Sequence, residues 1–95
     1  MQKYRKKPVV IEAMQFLYTK ETLQDLKSWM GPSMGRYDRK AGAKAELEIG
    51  TLEDGIHLTV KHIATEGDWI IKGVQDEFYA CKESIFIQTY ELVEE

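Results

Sequence analysis

Cations set beside aromatic rings are the side chains of this 95-residue sequence best suited to chemistry. Lys3, Arg5, Lys6 and Lys7 form one basic cluster, with Tyr4 inside it. Arg36, Arg39, Lys40 and Lys44 form a second, with Tyr37 inside it. A ring among cations is what a stacked base with a nearby phosphate requires. Arginine suits phosphate especially well, because its planar fork donates two hydrogen bonds at once. The sequence offers Arg5, Lys6, Lys7, Arg36, Arg39 and Lys72 to phosphates. It offers Tyr4, Phe16, Tyr37, Trp69 and Tyr79 to bases. Several of these rings must also serve the core, and for Trp69 the core and the stacking reading stand level. Each basic cluster also reads as a solvated end or loop, since four cations fall short of a charge block that carries meaning alone.

Catalytic patterns are missing. No Ser or Cys stands in a recognisable nucleophile motif, and Gly31 and Gly35 around Ser33 are too sparse for a phosphate loop. His57 and His62 are five apart on one expected strand, which places them on opposite faces and makes them a poor metal pair. Glu46 and Glu48 share a strand face without a partner motif. One cysteine, Cys81, forms no internal disulfide, and with two histidines it cannot complete a thiolate zinc site. These residues favour a binding module over an enzyme, with no cofactor and no metal expected.

The charge is divided along the chain. Residues 1–44 hold ten Lys or Arg against four Asp or Glu, and residues 45–95 hold three against twelve. The net charge of −3 argues against sequence-independent duplex binding. A small anion held by a few converging cations fits the division better. Apolar residues make up 43% and charged residues 31%, the balance of an ordinary folded domain. No apolar run approaches the ~18 residues of a membrane span, and the basic start is not followed by a signal-type apolar run. The expectation is one unexported domain over residues 1–95, with no membrane partner.

The elements that must position these side chains read as α+β: a small, mostly antiparallel sheet, one amphipathic helix and a short C-terminal helical turn. Pro8 opens an expected strand with Val9, Ile11 and Ala13 on one face and Val10, Glu12, Met14 and Phe16 on the other. Apolar residues on both faces suggest a central or doubly covered strand. Thr19 is the N-cap of a helix bearing Leu23, Leu26, Trp29 and Met30, which Gly31 and Pro32 stop. Residues 32–44 read as a mobile loop, open to a functional role or to plain solvation. A meander follows. Leu47 and Ile49 alternate with Glu46 and Glu48, Asp54-Gly55 signals a hairpin, and Ile56, Leu58 and Val60 alternate with His57, Thr59 and Lys61. Residues 65–68 turn, residues 69–71 form a strand, and a bend or second hairpin through residues 72–77 leads to a strand over residues 78–81. Residues 83–89 read as one or two helical turns and residues 90–93 as a last strand.

Two blocks carry a resemblance. KYRKKPVVIEAMQF and GDWIIKGVQDEFYACKESIFIQTYE together cover about 40 residues and bracket the chain. Their order, a basic opening into PVVIEA and then GD-aromatic-IIKG, EFY-x-C-K and IF-x-x-TYE, resembles a widespread family of small phage proteins. Within it the chain is similar to the phage sponges of the anti-CBASS four type. The segment from Thr19 to Thr65 lies outside the resemblance. The resemblance implies a small homo-oligomer, a tetramer, in the host bacterial cytoplasm. It implies sequestration, without cleavage, of cyclic dinucleotide signals such as cyclic GMP-AMP, which blocks nucleotide-signalled host defence. It assigns no individual ligand residue. A phage structural or regulatory protein that binds another protein is the alternative.

A cyclic dinucleotide carries two phosphates and two purines. The residues expected to meet it are Tyr4, Arg5, Lys7, Arg36, Arg39, Trp69, Lys72 and Tyr79. Arg5 and Lys7 share a strand face if the first strand extends back through Pro8. Arg36 and Arg39 would close from the loop, and Trp69 or Tyr79 would supply the stacking surface. A two-fold ligand also suits a site shared by two identical subunits.

Overall fold

The computed structural model describes residues 1–52 and 56–93. The chain is α+β; among the described residues it builds two three-stranded antiparallel sheets instead of the one expected, and the amphipathic helix and the C-terminal helical turn are both α-helices. The first sheet has the order β1-β5-β6, from Glu12–Gln15, Trp69–Lys72 and Phe78–Cys81. The second has the order β2-β3-β4, from Met34–Asp38, Glu46–Leu52 and Leu58–Thr65. The Asp54-Gly55 turn lies outside the described residues.

Helix α1 (Lys20–Met30) starts where sequence chemistry places it. The Thr19 hydroxyl accepts from the Thr22 amide at 3.2 Å, satisfying one of the first turn's unpaired donors. The helix ends at Gly31, whose φ of 58° is cheap only for glycine and whose amide donates to the Lys27 carbonyl. Leu26 and Met30 join Phe16, Ala45, Leu47, Ile49, Ala64, Ile70 and Phe78 in a core fed by both sheets.

Three strand expectations are corrected. The first strand is β1 alone. Residues 1–11 have no strand partner, and β1 is an edge strand with β5 at the sheet centre. Its apolar residues on both faces reflect two coverings: Met14 packs against the core, while Ala13 shares a face with Trp69 and Ile71. Part of the expected mobile loop is instead β2, paired to β3 with a bulge between Met34 and Tyr37. Residues 90–93 leave the sheets and form no strand. The turn at residues 65–68 is present, with Gly67 at φ 100°, and the second hairpin closes through Gly73 and Asp76.

A second bulge changes β4. Ile49 pairs His62 and Gly50 pairs Val60, so Lys61 is the extra residue and the side-chain alternation shifts there. Ile63 and Val60 both end a little under half exposed, on the face of Glu48 and Gly50. His57 precedes β4, so strand alternation does not relate it to His62. Helix α2 (Glu83–Thr89) follows β6 and buries no residue completely.

Candidate functional site

In the first sheet, side chains alternate between faces, so its register sorts the candidate residues. Gln15, Trp69 and Cys81 lie abreast, as do Ala13, Ile71 and Tyr79, and all six share one face. Glu12, Lys72 and Phe78 lie on the other, core-side face. Helix α2 meets the first of these faces through the Phe86 ring. Phe86 stacks on Trp69 with centroids 4.3 Å apart and planes within 4°, and on Tyr90 at 5.1 Å. The sequence block 83–90 thus builds a three-ring wall, Trp69–Phe86–Tyr90. Burial and a hydrogen bond with Tyr90 push the Tyr79 hydroxyl above the ordinary tyrosine range. Burial, then the nearby Asp68 carboxylate, raises the Cys81 thiol.

This wall borders a groove of about 900 Å³ that runs along β1. Residues 8–14 form its floor, with Trp29 on one side and Trp69, Phe86 and Tyr90 on the other. The Trp29 indole N–H donates to Glu12 at 3.3 Å, and its ring meets Phe78 edge-on at 5.0 Å. The Trp69 indole Nε1 is buried and has no hydrogen-bond partner. The charged residues that line the groove, Glu12 and Glu91, are acidic. The nearest basic cluster in sequence is Lys3–Lys7, which precedes the lining residue Pro8.

The eight sequence candidates divide into three places. Trp69 and Tyr79 share a sheet face, and Trp69 opens on the groove while it also packs against Phe86. Lys72 lies on the opposite face, 3.9 Å from Glu12 and 3.8 Å from Asp76. Tyr4, Arg5 and Lys7 are exposed in the unpaired N-terminal segment, where the Tyr4 hydroxyl donates to the Gln2 side chain at 2.7 Å. Strand alternation therefore does not align Arg5 with Lys7. Arg36 and Arg39 belong to the second sheet and the loop after it. The Arg36 amide donates to Glu48, and Arg39 Nε donates to the Ala43 carbonyl at 3.2 Å. Tyr37 meets Tyr18 edge-on at 6.3 Å. Phe16 is fully buried and is removed from the stacking candidates.

Sequence reasoning passed over Phe86 and Tyr90. The spacing of four, from a residue of α2 to the residue that caps its C-terminus, is the signal that points to them. Residues 12–15, far in sequence from residues 69–89, join them in one sheet, β1-β5-β6, with α2 following β6. Among the described residues, no group of three or more His, Cys, Asp or Glu is gathered to hold a metal, and no helix is long and apolar enough to cross a membrane. No family model, curated protein or solved structure matches the chain.

Proposed function

We propose that this chain binds and sequesters a cyclic dinucleotide without cleaving it, as a phage protein acting in the host bacterial cytoplasm against nucleotide-signalled defence. The observation that carries the reading is the Trp69–Phe86–Tyr90 wall beside an open groove. A purine stacked on such a surface gains roughly 1–3 kcal/mol. Because Glu12 and Glu91 give the lining an acidic character, the phosphates need cations from outside it. Arg5 and Lys7 are the residues proposed for them, with Arg36 and Arg39 as a second source. The proposed working form is a homo-oligomer, a tetramer built from two dimers, which adds apolar burial that a small domain lacks alone.

Titration calorimetry with cyclic GMP-AMP tests the reading on the parent and on Arg5→Ala, Arg36→Ala and Tyr79→Ala. Micromolar or tighter binding by the parent, weakened ~5- to 150-fold in Arg5→Ala, supports it, as loss of a charge-assisted bond of roughly 1–3 kcal/mol requires. The recovered ligand should keep its original mass. Absence of binding, or a linear product whose formation a point substitution abolishes, overturns it.

A second reading has its own observation. β1 presents an unpaired edge to the groove, and edges of this kind accept an added strand from another protein.

A further inference from the structure

Among the described residues, six side chains that line the groove can hydrogen-bond, and all but one are engaged or buried. The Trp29 indole N–H donates to Glu12, and the same Glu12 oxygen, Oε1, lies 3.9 Å from Lys72 Nζ. The Trp69 Nε1 is buried beyond a ligand's reach. The Thr89 hydroxyl donates to the Ile85 carbonyl at 2.7 Å. Tyr90 is hydrogen-bonded with Tyr79. The sixth is Glu91. It is exposed, and among the described residues no hydrogen bond or ion pair holds its carboxylate. An ionised carboxylate only accepts. The groove thus offers a ligand two adjacent acceptor oxygens. They belong to the residue that follows Tyr90, the last ring of the aromatic stack.

Of the two purines, guanine fits such a group and adenine does not. Guanine's base-pairing edge carries N1–H and the N2 amino group side by side, two donors for two oxygens. Charge-assisted pairs of this bidentate kind are the strong ones. Adenine sets its N6 amino donor beside N1, a lone pair that would face the carboxylate unpaired. A site group left against a mismatched edge loses its water without gaining a partner, so the wrong base is rejected more steeply than stacking alone would reject it.

We infer that Glu91 accepts from the base-pairing edge of a guanine stacked at Tyr90, so that the groove selects guanine-containing cyclic dinucleotides over those with adenine alone. This rests on the proposed sequestering function and adds base selectivity to it. It also gives an acidic lining a use in binding an anion. Ribose and phosphate leave a purine at N9, on the side away from its base-pairing edge. The carboxylate therefore meets the base, while the phosphates lie with cations outside the groove.

Titration calorimetry of the full chain with cyclic di-GMP and cyclic di-AMP tests the selection. The parent should bind cyclic di-GMP roughly 10- to 150-fold more tightly, the range set by one charge-assisted contact. Cyclic di-IMP, which lacks the N2 amino group, should fall between the two. Glu91→Gln keeps the shape of the side chain, but its amide donates to adenine N1 while its carbonyl accepts from N6. The preference for guanine should fall at least ~10-fold in this variant. Removing one negative charge also strengthens the binding of any anion, so the ratio of the two affinities is read, not either one alone. Glu83→Gln removes a charge at the start of α2, away from the groove lining, and should keep the parental ratio. Circular dichroism of each variant should match the parent, since both residues are exposed. A parent that separates the two ligands by less than ~10-fold overturns the guanine contact and leaves sequestration standing. So does a Glu91→Gln that keeps the parental ratio, or a Glu83→Gln that loses it equally. A parent that binds neither ligand overturns the sequestering function, and the guanine contact with it.

Discussion

Phe86→Ala should undock α2 and expose Trp69. No residue of α2 is fully buried, and the half-buried Phe86 ring is the helix's stacking contact with the sheet. Full burial of a phenylalanine contributes roughly 1.5–3 kcal/mol, so a half-buried ring contributes about 1 kcal/mol. The parallel stack at 4.3 Å on Trp69 adds roughly 0.5–1.5 kcal/mol beyond burial. The sum is about 2 kcal/mol, which in a domain of this size lowers Tm by roughly 8–16 °C. Trp69 fluorescence, recorded in a Trp29→Phe background, should move to longer wavelength as the indole becomes hydrated. Phe86→Leu restores the apolar volume but not the stack, and should recover about half of the loss. A loss below ~0.5 kcal/mol with an unmoved spectrum would refute the idea that the Phe86 ring is a main anchor of this helix on the sheet.

The unpartnered Trp69 Nε1 predicts that Trp69→Phe costs less than its lost volume suggests, because it also removes a buried donor worth roughly 1–3 kcal/mol in desolvation; urea unfolding measures this. Gly50→Ala should cost ~1–3 kcal/mol, since the new methyl falls on the Thr59 carbonyl across the β3–β4 ladder. Gly73→Ala should cost little, since its methyl meets only the movable Glu77 carboxylate; thermal melts compare the two. Tyr79 should titrate above ordinary tyrosines in ultraviolet difference spectra, and Tyr79→Phe should abolish that late component. Because its value is raised in the folded state, the stability it contributes is full below the unfolded value, near 10, and is lost as pH rises through the folded one. Cys81, raised likewise, should react with iodoacetamide at pH 8 more slowly than a free thiol, and unfolding should restore the ordinary rate.

What the sequence disclosed is what local chemistry decides. Thr19 and Gly31 bound α1 because capping depends on single side chains, and Leu47 and Ile49 declare the inner face of β3 by strict alternation. The division into two sheets was not legible, because it depends on β1 pairing with β5 and not with its sequence neighbours. The bulge at Lys61 was hidden as well. Nothing in the run of apolar and polar residues marks the point where two residues oppose one. Residues 34–38 read as loop because the stretch 32–44 around them holds two glycines, a proline and four cations, yet the β3 edge offered a ladder that propensity alone does not show. Of the site, the candidate residues Trp69 and Tyr79 proved to share a face, while the two basic clusters went to different parts of the fold.

The placement of β1 beside β5 has a consequence for synthesis. Everything from Phe16 to Asp68 must leave the ribosome before β1 meets its neighbour, whereas β3 and β4 meet as soon as both are made. Closing the longer loop costs only modestly more entropy, since the cost grows with the logarithm of length, but it delays the contact. The meander can therefore nucleate first, leaving the N-terminal apolar strand waiting in solvent through most of translation. A nascent chain halted after Thr65 would hold its second sheet and leave β1 open to pulse proteolysis. One halted past Cys81 would protect it.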